Sequence, residues 1–196
     1  MEKTTSILPI IEKRWSPRAF DPKKPVDIES LLTLFEAARW APSTGNEQPW
    51  RFIVGQKNAG DGVYRRILRC LAEANQHWAA NAPVLILGLT SLHFDRNDKP
   101  NKAAHHDLGL AAANMTVEAT ARGLACHQMI GIDSDKAAAE FEVPACVEVL
   151  TAIALGVADT SAVDDADLAA RDQKERARRP LSDFVFSAGY GQAATF

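Results

Sequence analysis

The stretch "APVLILGL", residues 82–89, decides the architecture. It is the longest unbroken apolar run in the chain, yet it falls far short of the ~20 residues a membrane-spanning helix needs. From Pro83 to Leu89 it is apolar on both faces, the pattern of a strand at the centre of a sheet. Working outward, "RFIVG" (51–55), "ACHQMI" (125–130) and "VEVLTAIALGVA" (147–158) also read as strands, the last as an inner one. Between them lie helical patterns. Residues 4–13 form a short one, and "VDIESLLTLFEAARW" is stronger: Asp27 can cap it, and Ile28, Leu31, Leu32, Phe35 and Ala38 recur at helical spacing before Pro42 stops it. A helix is expected around 61–76 and a long one over 101–123 that Gly123 terminates. A short helix begins at Asp133 and stops before Pro144, and the charged segment 164–179 is a further helical candidate. Helices and strands are therefore intermixed around a buried sheet.

The long segment 101–123 carries Gly109, Ala111, Ala112, Ala113, Ala119 and Ala121, small residues that let another helix approach closely, so it should be central. Length and composition suit one domain, residues 1–196, able to bury most of its apolar surface in one core. With 22 Lys and Arg against 25 Asp and Glu, the surface carries no basic field that would gather a nucleic acid backbone. The N-terminus shows no charged-then-apolar signal pattern, so no membrane partner is expected and the chain reads as cytoplasmic. Cys70, Cys126 and Cys146 stand far apart without CxxC spacing, which suits a reducing compartment and gives them no catalytic part. The final "LSDFVFSAGYGQAATF" has apolar residues but little room for a core of its own, and could lie across a partner subunit.

Two polar segments carry chemistry. In "EKRWSPRAF" (12–20), Arg14 and Arg18 flank Ser16, two guanidinium groups and a hydroxyl suited to the oxygens of a phosphate monoester; a solvated surface pair is the alternative. In "APSTGNEQPWRFI" (41–53), Ser43, Asn46 and Gln48 supply uncharged donors and acceptors on a turn that leads into Pro49, Trp50 and a strand. Those groups suit a planar, multiply hydrogen-bonding ligand, and a plain polar loop is the alternative. His105, His106 and Asp107 are adjacent, but neighbouring helical residues point about 100° apart and no HExxH or CxxC accompanies them, so no metal is expected. His127 could donate a proton to a substrate oxygen or simply be packed. Trp40, Trp50 and Trp78 read as core or interface aromatics.

With these segments in order, the chain resembles the nitroreductase family of FMN-dependent oxidoreductases. The resemblance rests on "RWSPR", "APSTGNEQPWRF", "APVLILG", "HHDLGLAAANMTVEATARGLA" and "RRPLSDFV", which together cover nearly the whole chain. It implies an α+β fold, a three-layer α-β-α sandwich around a mainly antiparallel sheet. It also implies a homodimer in which the C-terminal segments are exchanged. By similarity, Arg14, Ser16 and Arg18, joined by Trp15 at a position often basic in the family, would hold the phosphate and ribityl of FMN. A C-terminal basic residue would help them: Arg178, with Arg179 or Arg176 as alternatives. Ser43, Asn46 and Gln48 would reach the flavin, partly from the opposite subunit, and Asn75 would touch the ribityl or phosphate. The segment "HQMIG" (127–131) would border the ring through Met129, Ile130 and Gly131.

The implied activity is transfer of hydride from NAD(P)H to a nitroaromatic, quinone or related conjugated electrophile, donor and acceptor using one site in turn (ping-pong). Flavin fragmentation, dehalogenation and non-catalytic flavin binding are the alternatives. Residues 127–131 lack the proline and acidic residue that many members carry there, and no ribose-reading motif distinguishes NADH from NADPH.

Overall fold

The computed structural model describes residues 6–195. In chain order the elements are α1 (Pro9–Lys13), α2 (Ile28–Arg39), β1 (Trp50–Gln56), α3 (Val63–Cys70), α4 (Glu73–Ala79), β2 (Val84–Ser91), α5 (Ala104–Ala121), β3 (Ala125–Met129), α6 (Ser134–Glu140), β4 (Val147–Gly156) and α7 (Ala166–Asp172). The strands form one sheet in the order β1-β2-β4-β3, with every neighbouring pair antiparallel. The apolar stretch that opened the sequence reading is β2, one of the two inner strands, buried from Val84 to Thr90.

Because side chains alternate across a strand, β2 feeds two cores. Leu85 and Leu87 face Phe20, Tyr64, Ile67 and Trp78 under α3, α4 and α6, while Val84 and Ile86 face Leu34, Leu108 and Met115 under α2 and α5. The result is the three-layer α-β-α sandwich around an antiparallel sheet.

Helix α2 starts where Asp27 caps it, its carboxylate accepting the Ser30 N–H at 2.7 Å. Its buried stripe is Leu31, Leu34 and Ala38, whereas Ile28 and Leu32, counted in the sequence pattern as core-facing, are 68% and 65% exposed. The helix has more apolar residues than one stripe can hold, so a second apolar face is left outward. Helix α5 packs its Ala111, Ala112, Met115 and Ala119 inward and ends as expected, with Gly123 in the left-handed region at φ 75°.

Three boundaries differ from the sequence reading. Only residues 9–13 of the first predicted helix are helical, and residues 4 and 5 lie outside the described residues. The helix expected over 61–76 is two helices, because Leu71 is extended and bridges Ile132, while the Ala72 N–H donates to Gly131 O and the Asp133 N–H to Cys70 O. Tertiary pairing there overrides local helical preference. The segment 164–179 is helical only to Asp172; beyond it Arg176 donates through Nη1 to Arg14 O at 2.8 Å, so the chain follows the N-terminal segment instead of its own axis.

Two close approaches hold the layers. At Gly55 on β1 a Cβ would sit 2.5 Å from Tyr64 Cα, so α3 rests directly on the strand backbone. At the sheet edge His127 on β3 accepts no hydrogen bond through Nδ1. Its Nδ1–H donates to Pro17 O at 2.8 Å, and its ring lies 4.4 Å from that of Trp78, tying the N-terminal segment to β3.

Gly55→Ala is expected to lower thermal stability by several degrees, as overpacking costs about 1–3 kcal/mol and each kcal/mol is worth about 2–4 °C in a chain of this size; calorimetry checks it. A second expectation concerns acid. Burial, together with Arg18 and Arg171, holds the His127 imidazole below its ordinary 6.5 despite the bond to Pro17. The folded state therefore binds fewer protons there than the unfolded state, and stability is lost as pH falls from about 6.5 through the folded value. Urea midpoints measured from pH 7 to 5 should decline less in His127→Gln than in the wild type.

Candidate functional site

The segment "RWSPR" leaves α1 at Arg14, whose backbone turns extended, and the buried Pro17 keeps the chain extended toward the core. It would be a loose strap but for Asp172 at the end of α7. One oxygen of that carboxylate, Oδ2, accepts both the Arg18 N–H at 2.7 Å and the Ala19 N–H at 2.8 Å. The clasp carries the following residues 174–178 across the arginines.

Between the two chain segments lies a cavity of about 630 Å³ walled by Arg14, Ser16, Arg171, Lys174, Arg176 and Arg178, with Trp15, Asp172 and Glu175 completing it. Arg14 donates from Nη1 to Ser16 Oγ at 3.2 Å, which aims both groups together. Burial and then repulsion from Arg178 and Arg176 hold the Arg14 guanidinium below its ordinary range. Burial also lowers Arg18, with Arg171 adding to it and Asp172 opposing. The Arg18 Nε is buried with no hydrogen-bond partner, and its guanidinium carbon stands 5.5 Å from the Trp78 ring centroid. Crowded, partly desolvated cations fit a multiply charged oxyanion; Arg18, expected from the sequence beside Arg14 and Ser16, is not among the residues that wall the cavity. Of the three C-terminal arginines weighed from sequence, Arg176 and Arg178 line this cavity and Arg179 does not.

A second polar group lies elsewhere. Ser43, Asn46 and Gln48 lie in and beside a 3-10 turn, Thr44–Asn46; Gly45 and Asn46 within it and Gln48 just after it have left-handed backbones at φ 62°, 57° and 53°. The strain is held by bonds inside and outside the turn. Ser43 Oγ accepts the Gln48 N–H at 3.0 Å, Gln48 Nε2 donates to Asn46 O at 3.2 Å, and Asp107 Oδ2 accepts the Thr44 N–H at 2.9 Å. Asp107, 1% exposed in the first turn of α5, thus fixes this turn; the sequence reading placed it beside His105 and His106 and in the helix that carries the resemblance, without this role. His105 in fact pairs with Glu148 at 2.9 Å. None of Ser43, Asn46 and Gln48 walls the basic cavity of the same chain.

The third group is at the end of β3. Ile130 is 85% exposed and Met129 buried, and both border an apolar cavity of about 300 Å³ between α5 and β4, with His105, Gly109, Gln128 and Thr151 in its wall. Gly131 is required by a neighbour: a Cβ there would fall 2.3 Å from Asn75 Nδ2. Asn75 donates from that nitrogen to Gly131 O at 3.0 Å and accepts Trp78 Nε1–H at 3.2 Å, so its amide is engaged at both ends. The proton-donor reading of His127 does not suit its surroundings, because the neutral ring spends its one N–H on Pro17 and leaves Nε2 bare. Asp172, Arg171 and Lys174 were not singled out from sequence; their only signal was the density of charge in 164–179.

The profile of the nitroreductase family matches residues 11–157. A Mycolicibacterium smegmatis protein described as an uncharacterized 15.4 kDa protein is 32% identical over 148 residues, 72% of this chain and 97% of that one. A Ralstonia nicotianae protein, provisionally named an NADH dehydrogenase/NAD(P)H nitroreductase, is 27% identical over 157 residues, 71% of this chain and 79% of that one. The crystal structure of an oxidoreductase containing FMN superimposes with a TM-score of 0.87 at 34% identity, covering 96% of this chain and 95% of that chain. With the family profile matched from the end of α1 through β4, the chain belongs to the nitroreductase family.

Proposed function

We propose that the protein is an FMN-dependent oxidoreductase that takes hydride from NAD(P)H and reduces a nitroaromatic, quinone or related conjugated electrophile. The observation that carries this reading is the basic cavity, in which burial and the nearby Arg178 and Arg176 hold the Arg14 guanidinium below its ordinary range. A phosphate monoester, near −2 at neutral pH, relieves that repulsion. The solved relative that contains FMN supports the same cofactor.

In this reading Arg14, Ser16, Arg176 and Arg178 hold the phosphate, with Trp15 in the wall beside it. Arg18 lies against Trp78, outside the walls of that cavity. Met129, Ile130 and Gly131 would border the ring, and Asn75 acts by fixing Gly131. Bound FMN would supply the redox chemistry, taking an electron pair from the nicotinamide and giving it up to the acceptor. The chain's own part is to bind, orient and exclude water. Leu108, Met129 and Leu150 would offer the ring an apolar wall, with Ile130 at its solvent edge. His127 stays neutral and structural.

Ser43, Asn46 and Gln48 would serve the site of a second copy. Ile28, Leu32 and Trp40 at 73% exposure leave α2 with an uncovered apolar face, and Leu181, Phe184 and Tyr190 leave another on the tail. A homodimer that covers both would bury more than ~2,000 Å², the size of an obligate interface.

Arg14→Ala should weaken FMN roughly tenfold or more, the cost of about 1.5–3 kcal/mol for losing a charge-assisted partner; flavin fluorescence in equilibrium dialysis measures it, and an unchanged Kd would refute this anion site. Steady-state oxidation of NADPH with a quinone should give parallel double-reciprocal lines. Intersecting lines would mean that donor and acceptor share the pocket, and no NADPH oxidation at all would point to a non-catalytic flavin binder.

A further inference from the structure

The cavity of about 300 Å³ between α5 and β4 is apolar apart from three side chains, those of His105, Gln128 and Thr151. Two of them have no hydrogen left to give. Gln128 Nε2 donates to Thr116 Oγ1 at 2.9 Å and to Ala112 O at 3.2 Å, and Thr151 Oγ1 gives its one O–H to Met129 O at 2.9 Å. What remains on Gln128 is a carbonyl oxygen, which can only accept. His105 differs. It stands half-exposed in the first turn of α5, and its Nε2 pairs with Glu148 Oε2 on β4 at 2.9 Å. No other group among the described residues is bonded to its ring, so Nδ1 is open.

The carboxylate fixes what this ring can do. With Glu148 accepting Nε2–H, the neutral imidazole keeps Nδ1 as a bare acceptor, and a second proton can enter only there. The imidazolium so formed stays paired with Glu148. The other titratable groups of the turn, His106 and Asp107, pair with each other at 3.1 Å, and neither walls the cavity. The cavity therefore has a single side chain able to take up and hand over a proton.

We propose that His105, held by Glu148, is the proton donor to the electron acceptor. The inference rests on the reading that the flavin ring borders Met129 and Ile130, which share this wall with His105. A quinone becomes a hydroquinone by gaining two electrons and two protons, whereas the hydride brings both electrons and only one proton. Hydride bound at one oxygen leaves the other as a phenolate. There the Nδ1–H bond of His105 breaks and an O–H bond forms, and the half-exposed ring takes its next proton from water. Imidazole suits the task because it exchanges a proton near neutral pH, and a general acid within reach contributes roughly 10²–10⁴-fold.

The test gives the FMN-loaded protein and NADPH two acceptors: benzoquinone, whose product must be protonated, and ferricyanide, which takes electrons without protons. In His105→Gln the ratio of the quinone rate to the ferricyanide rate should fall at least about tenfold. In His105→Ala added imidazole should restore the quinone rate and leave the ferricyanide rate where it was. Phenol presents the same oxygen and cannot be turned over, so in the oxidised protein it should shift the His105 ring nitrogens seen by NMR. An unchanged ratio, an equal fall of both rates, or ring nitrogens that ignore phenol would overturn the inference, while NADPH oxidation by the wild type left the enzyme reading standing. No oxidation by the wild type with either acceptor would overturn both.

Discussion

The candidate site depends on one carboxylate. Asp172, at the end of a seven-residue helix, accepts two consecutive backbone N–H groups from Arg18 and Ala19. A carboxylate with two such donors is a strong anchor, because its charge strengthens both bonds and each donor would otherwise be stranded in a partly buried strap. Everything around it follows. The strap is fixed against the sheet edge by His127 and Trp78, Arg176 reaches the Arg14 carbonyl, and cations from two distant parts of the chain come to face one cavity. Without the anchor their repulsion would drive the segments apart.

The same logic of one buried acceptor holding a strained segment recurs at the turn 43–48. Three left-handed residues within four positions would not persist on local preference. Asp107 holds the Thr44 N–H from below, and Glu47 accepts the Asp95 N–H and pairs with Arg96 from the side. The turn is therefore a rigid presentation of Ser43, Asn46 and Gln48, positioned before any ligand arrives. At Gly131 rigidity has a different origin: the side chain is missing because Asn75 occupies its space.

Much of the fold was legible from the chain. An apolar run with no polar face, as in β2, can be satisfied only between two layers, and Asp27, Asp133 and Gly123 mark helix ends by local chemistry alone. The break between α3 and α4 was not legible, because Leu71 leaves the helix to pair with a residue about sixty positions away, and no local pattern carries that. Nor was the orientation of α2 legible, since Ile28 and Leu32 fit a buried stripe as well as an outward one. In the site, Arg14 and Ser16 stood out in a segment with two guanidinium groups around one hydroxyl, and Arg176 and Arg178 came only through the family resemblance, whereas Asp172 drew no notice. An aspartate that serves as an acceptor for remote backbone looks like any surface aspartate until the chain has folded.

The cavity's two walls come from Arg14 and from Arg176, which touch across 162 positions of sequence. The order of synthesis therefore matters. A growing chain releases its first wall early and its second only near the end, so during most of translation the N-terminal arginines have no opposing cations and no Asp172 to hold them. The sheet, whose last strand closes at Gly156, can assemble before that. An anion can meet the cations of both walls only once the ribosome has passed about residue 178, so the cavity is one of the last parts of the chain to be completed.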